Sequence, residues 1–354
     1  MRYIDKLHET VVKFPMTDIW NDSCSLEDLK YAIERGAVGA TTNPTIVTAA
    51  LESELPIWED TIKRIITDSP SCNEDDAAWQ IIEEIGTERA KLLLPAFEAS
   101  SRAKGRLSMQ TNIKNFRNAE KMVAQAIHFN TLGENIQVKI PVTSAGVKAI
   151  EEATFAGVNI NATVSFTLAQ LIQVAEAVER GLDRRTAAGL SNKDMHPVCT
   201  IMLGRLDDYI AACASKNNSD VSAEALKWAS IAVTKKAYKL YKERGYRTRL
   251  LTAAYRRLEH WSEFIGGDII MTIPHKWQTA IGAAKVEVIS RIDDTVDEEV
   301  LQKLEKLPEF KEAYNEDAQT PEDFDSYKLL HSVVIDFLAG YDKFVKIVRG
   351  YFFS

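Results

Sequence analysis

From about residue 16 to residue 275, short apolar runs alternate with longer amphipathic stretches, and this alternation constrains the fold more than any other feature. Eight runs read as strands: 16–21, 38–43, 106–111, 137–141, 159–166, 198–203, 249–255 and 268–274. Helical patterns separate most of them, at 26–35, 116–129, 144–153, 168–180, 223–244, 257–264 and 275–283. Ser25 before Leu26, Glu27 and Asp28 reads as a capped helix start with acids at its positive end. Gly36, Gly157, Gly245 and Gly266 with Gly267 each stand between a helix pattern and the next strand, where a left-handed cap is wanted. Strand–helix alternation with eight strands predicts an α/β chain of the (β/α)₈ barrel type. A doubly wound sheet is the rival, but no GxGxxG follows any strand.

Two regions exceed the minimal barrel. The stretch 45–105 is too long for one crossover and predicts two or three extra helices after the second strand. Beyond about 285 a charged segment leads into YKLLHSVVIDFLAGYDKFVKIVRGYFF, which predicts a helical C-terminal extension packed on the barrel, over its mouth. With no internal repeat or low-complexity linker, residues 1–354 read as a single domain, with the barrel at about 16–284 and the extension at about 285–354.

The net charge of -8 gives no cationic field for general binding of nucleic acid or anionic membrane, although a few local arginines can still hold a small anion. No run approaches about 18 uncharged apolar residues, so no membrane span is expected. The N-terminus has no apolar signal core, and the four cysteines form no CxxC pair, so a cytoplasmic setting is expected. None of the six histidines has metal-ligand spacing, and neither a metal nor a nucleotide cofactor is expected.

In such a barrel the chemistry sits at the C-terminal ends of the strands, with alternate residues pointing inward. The runs carry polar residues where a packed interior would prefer Val, Ile or Leu: Asp18, Thr41 with Asn43, Ser108 with Gln110, Lys139, and Asn159 with Asn161 and Thr163. Lys139 stands between Val138 and Ile140. It can reach solvent or pair with an acid, or it can be a desolvated amine suited to forming a Schiff base with a ketone. Asp18 can be its plain partner, or the acid/base of imine chemistry. Asn43, Asn161 and Thr163 can satisfy backbone groups, or together receive a polyhydroxylated ligand. Arg205 and Arg256 can form ordinary surface ion pairs, or clamp a phosphate from beyond neighbouring strands.

TDIWND, GATTNPTIV, VKIPVTSAGVKAI, GVNINATVSFTLAQ, MLGRLDD, LLTAAYRRLEHW and GGDIIMTIP resemble, in order and approximate spacing, the transaldolase family over roughly residues 16–276. The resemblance implies a (β/α)₈ barrel and cofactor-free Schiff-base transfer of a dihydroxyacetone unit from a ketose phosphate to an aldose phosphate. By position it implies Lys139 as the Schiff-base lysine, Asp18 as acid/base, and Thr163 helping to position a catalytic water. Asn43 and Asn161 would hold donor hydroxyls, Thr200 would lie beside the substrate, and Arg205 and Arg256 would bind its phosphate. A homodimer is expected by analogy.

Three positions depart from that pattern. Gln110 stands where transaldolases carry a glutamate and the related fructose 6-phosphate aldolases a glutamine; an amide can only hydrogen-bond a water that a carboxylate can deprotonate. Ala254 replaces a serine that assists phosphate binding, and Met202 replaces an aromatic residue. The leading reading is a transaldolase of the pentose phosphate pathway. The alternatives are an aldolase releasing free dihydroxyacetone, a homologue taking a modified ketose, and a non-catalytic barrel that binds sugar phosphates.

Overall fold

All eight apolar runs form strands, each shorter by a residue or more than its pattern except the fourth, which starts one residue earlier. In the computed structural model, which describes residues 2–353, these are β1 Asp18–Asn21, β2 Gly39–Thr41, β3 Arg106–Gln110, β4 Ile136–Pro141, β5 Ile160–Ser165, β6 Val198–Met202, β7 Arg249–Ala253 and β8 Ile270–Ile273. They pair in parallel, each with its sequence neighbours, and β1 closes on β8. The architecture is a (β/α)₈ barrel.

A first helix, α1 (Lys6–Lys13), precedes β1, and α2 (Leu26–Glu34) follows it, capped by the Ser25 side chain on the amide of Asp28. Four helices fill the long crossover after β2, three more than a minimal βα unit needs, as expected: α3 Pro44–Ser53, α4 Leu55–Asp68, α5 Glu74–Lys91 and α6 Leu94–Ala99. The ring continues with α7 Ala119–Phe129, α8 Ser144–Phe155, α9 Leu168–Ala187 and α10 Leu203–Lys216. The 223–244 pattern divides into α11 (Ala223–Leu226) and α12 (Ala229–Arg244), because Asp207 of α10 accepts from the Ser230 amide at 3.0 Å and so caps a new start. The 257–264 pattern contracts to one turn, α13 (Glu259–Ser262). Gly36, Gly157, Gly245 and Gly266 adopt the positive φ expected of them.

After β8, α14 (His275–Gly282) completes the ring, and the extension forms α15 Glu298–Leu304, α16 Pro308–Tyr314, α17 Pro321–Phe324 and the long α18 Lys328–Arg349. α18 lies against α3 and α5. Thr48 of α3 donates its hydroxyl to the Gly340 carbonyl at 2.9 Å, and Trp79 of α5 stacks on Tyr341 with ring centroids 5.6 Å apart. No helix of the described residues is long and apolar enough to cross a membrane.

Inside the barrel, Trp20, Val198, Leu251, Ala253 and Ile270 form an apolar cluster separate from the main core between sheet and helices. The Trp20 indole reaches across to β2, where a Cβ on Gly39 would lie 2.3 Å from the ring, so only glycine fits there. This apolar layer divides the interior into two ends.

Candidate active site

At the C-terminal ends of the strands, Lys139 of β4 is only 5 % exposed, and its ammonium donates to the Thr42 carbonyl at 2.9 Å. Burial pushes the amine down to about 8, against the opposing pull of the Asp22 carboxylate. Asp22, the residue after β1, accepts from the Thr41 hydroxyl at 2.7 Å, and Thr41 also meets Thr272 of β8 at 2.7 Å. Burial holds the Asp22 carboxyl above its ordinary value, while Lys139 and the Thr41 hydroxyl pull it back. A lysine amine and a carboxylate, each desolvated and each responding to the other, are the pair that imine chemistry requires.

The acid/base assigned to Asp18 is therefore corrected by geometry. Asp18 opens β1, four residues and about 13 Å of strand before Asp22, at the N-terminal end of the barrel. Its two oxygens accept from Lys104 at 2.6 Å and Arg249 at 2.7 Å, and the Trp20 layer stands between it and Lys139. The sequence itself carries a signal that separates the two aspartates. Asp18, Trp20 and Asp22 share one face of β1, and the rule that chemistry sits at strand C-termini selects the last of them.

The other expected residues distribute as follows. Asn161 pairs in register with Lys139, and its amide links Ser108 at 3.1 Å to Thr200 at 2.7 Å, a buried chain across β3, β5 and β6. Thr163, fully buried, stands two residues nearer the mouth, in register with Pro141. Gln110 pairs in register with Lys139, and both ends of its buried amide lack a protein partner. Beside it lies a cavity of about 20 Å³, bounded by Thr42, Asn43, Trp79, Tyr341 and Phe344, so that α18 walls this side of the site. That volume admits one water. Asn43 lies just past β2, and its Oδ1 caps α3 by accepting from the Ile46 amide at 2.9 Å.

Arg205 and Arg256 share one rim. The Gly204 amide donates to the Ala254 carbonyl at 3.0 Å, and a Cβ on Gly204 would lie 2.6 Å from Arg256 Cγ, so the glycine lets the two loops meet. Ala254 itself has φ of 62°, a left-handed conformation held at the end of β7. Each guanidinium already has a carboxylate: Arg205 donates to Asp336 of α18 at 2.8 Å, and Arg256 to Asp208 at 2.8 Å. Behind Arg256, the buried His260 accepts from the Arg256 amide at 3.2 Å through Nδ1, and its Nε2 meets Asp207 at 2.9 Å. Asp22, Asp336, Asp207 and His260 escaped the sequence reading. Apart from Asp22, their roles depend on contacts between segments far apart in the chain.

The family model described as Transaldolase/Fructose-6-phosphate aldolase matches residues 19–328. A transaldolase of Thiobacillus denitrificans is 28% identical over 308 residues, covering 79% of this chain and 85% of its own length. Transaldolase 2 of a Nostoc species is 28% identical over 326 residues, 82% of this chain and 84% of its own length. Transaldolase 1 of Streptomyces avermitilis is 29% identical over 234 residues, 64% of this chain and 61% of its own length. With the barrel, the buried lysine of β4 and a family match over most of its length, the chain belongs to the transaldolase/fructose-6-phosphate aldolase family.

Proposed function

We propose that the chain is a transaldolase that moves a dihydroxyacetone unit from sedoheptulose 7-phosphate or fructose 6-phosphate to an aldose phosphate, in the pentose phosphate pathway. The observation that carries this reading is the desolvated Lys139 amine facing the Asp22 carboxylate at the mouth. The neutral amine adds to the C2 carbonyl, and the carbinolamine loses water to give an iminium. Asp22 then takes the proton of the C4 hydroxyl. The C3–C4 bond breaks, its electron pair moves into the iminium to form an enamine, and the aldose leaves. The enamine attacks the acceptor aldehyde, Asp22 returns the proton to the new alkoxide, and water hydrolyses the imine. Gln110 and Thr163 position that water, Asn43, Asn161 and Thr200 receive the donor hydroxyls, and Arg205 with Arg256 binds the phosphate.

The relatives' names support transfer over release, and product analysis separates the two. Fructose 6-phosphate with erythrose 4-phosphate is expected to give a new ketose phosphate, with no sustained free dihydroxyacetone when the acceptor is omitted. Steady release without acceptor would instead assign the aldolase reaction. Gln110→Glu should raise the rate of transfer by about tenfold, since a carboxylate can take a proton from water where an amide cannot, as steady-state rates would show.

The ion pair between Arg205 and Asp336 places α18 in competition with the substrate phosphate. The pair is half open to solvent, and such pairs contribute roughly 0.5–1 kcal/mol, so Asp336→Asn should lower KM for a phosphorylated ketose about two- to fivefold with kcat little changed. An unchanged KM would remove Asp336 from the binding equilibrium. The same reading takes barrel and extension as one domain, supported by the contact of α18 with the site, and sets it in the cytoplasm. The homodimer follows from the resemblance and is tested by sedimentation.

A further inference from the structure

The end of the barrel opposite the mouth encloses a cavity of about 290 Å³ beneath the Trp20 layer. Three cations line it, Lys104, Arg106 and Arg249, against two carboxylates, Asp18 and Asp268. Asp18 pairs with Lys104 and Arg249, and Asp268 with Arg249 at 2.7 Å. Arg106 has no such partner. It opens β3 on the inward face shared with Ser108 and Gln110, and it is 2 % exposed. Its Nη2 donates to the Arg102 carbonyl at 2.8 Å and its Cζ lies 5.2 Å from the Phe97 ring centroid, while Nε and Nη1 have no hydrogen-bond partner. Among the described residues no carboxylate forms an ion pair with it; Asp194 attracts it from farther away and Arg102 repels it. Burial pushes the guanidinium down to about 10, so it is still a cation at neutral pH.

A buried charge without a counter-ion is one of the least favourable arrangements in a folded chain. Here the free atoms are both donors, on a side chain that borders a cavity whose lining carries one excess positive charge, so the complementary ligand is a pure acceptor bearing negative charge. Lys104, a third exposed at the rim, supplies a second donor once its hold on Asp18 is shared with Arg249. The half-buried His196 also lines the cavity, and burial together with Arg106 pushes its imidazole below its ordinary value, toward the uncharged form that can donate without repelling a cation.

We propose that this cavity is a second anion site, separate from the catalytic mouth, that takes a small phosphate-type oxyanion, free or as the phosphate of a small metabolite, on Arg106. Bound there, the anion ties the starts of β1, β3 and β7 together and stabilises the fold by mass action.

The test uses the full chain carrying Arg205→Gln and Arg256→Gln, which removes the mouth's own arginines. Thermal unfolding is followed against inorganic phosphate, against glycerol 3-phosphate, and against sodium chloride of equal ionic strength. A saturable rise in Tm with either phosphate and not with chloride is expected, and the more effective probe identifies the free ion or the phosphomonoester as the ligand. Adding Arg106→Gln should shift the midpoint at least tenfold to higher concentration. Should that variant not fold, Lys104→Gln, at the exposed rim, should weaken the midpoint severalfold. A rise equalled by chloride, a rise lost with the mouth arginines, or a midpoint unmoved by the Arg106 change (by the Lys104 change where that variant stands in) would overturn the proposal.

Discussion

Incubation with fructose 6-phosphate and borohydride is expected to add a reduced three-carbon unit to the wild-type chain, seen as intact mass, and Lys139→Ala should show neither adduct nor turnover. Without the amine no covalent intermediate exists, and transfer should fall to background. The same amine sets the pH dependence. It attacks only when neutral, and burial places its titration at about 8. Below that pH, kcat/KM should fall about tenfold per unit, and above it the rate should level off. Relative to an ordinary lysine, this lowering makes roughly 300 times more free amine at pH 7. A profile still rising through pH 10 would show that the lysine is not desolvated in the working enzyme. An adduct that persists in Lys139→Ala would place the Schiff base elsewhere.

The second large effect separates the two aspartates of TDIWND. Asp22→Asn should lower kcat by about 10²–10⁴, the contribution of a well-placed acid/base, whereas Asp18→Asn should leave kcat within a few-fold. The cost of Asp18→Asn appears instead in stability. Asp18 is almost fully buried and accepts from Lys104 and Arg249, which are a quarter to a third exposed, and weakening those charged bonds should cost about 1–3 kcal/mol, read as a lower urea midpoint. Equal losses of kcat in the two variants would return Asp18 to the reaction, and no loss in Asp22→Asn would leave the site without its base.

Strand runs were legible because an interior strand must alternate sides and stop at turn residues, so all eight appear where apolar patterning placed them. Lys139, Asn161 and Gln110 were legible for the same reason: a polar side chain between apolar neighbours on a buried strand stands out against the pattern. The three extra helices between β2 and β3 were legible in number, from the length of the stretch, but their boundaries were not. The start of α4 directly after Glu54 leaves almost no linker, and Pro56 at its first turn is as compatible with a helix start as with a break.

The sequence by itself determined the barrel, the set of polar strand residues and the lysine, because period and strand-end position are properties of neighbouring residues along the chain. Which aspartate faces Lys139 needed the depth of each residue in the barrel, and Asp18 and Asp22 share one parity on β1. Only the tertiary structure decided that Trp20 divides the interior, that α18 brings Asp336 to Arg205 and walls the Gln110 cavity, and that Arg106 is buried without a counter-ion. Each of these depends on groups tens to hundreds of residues apart, and the electrostatic state of a side chain follows from what surrounds it in space, which local patterning does not encode.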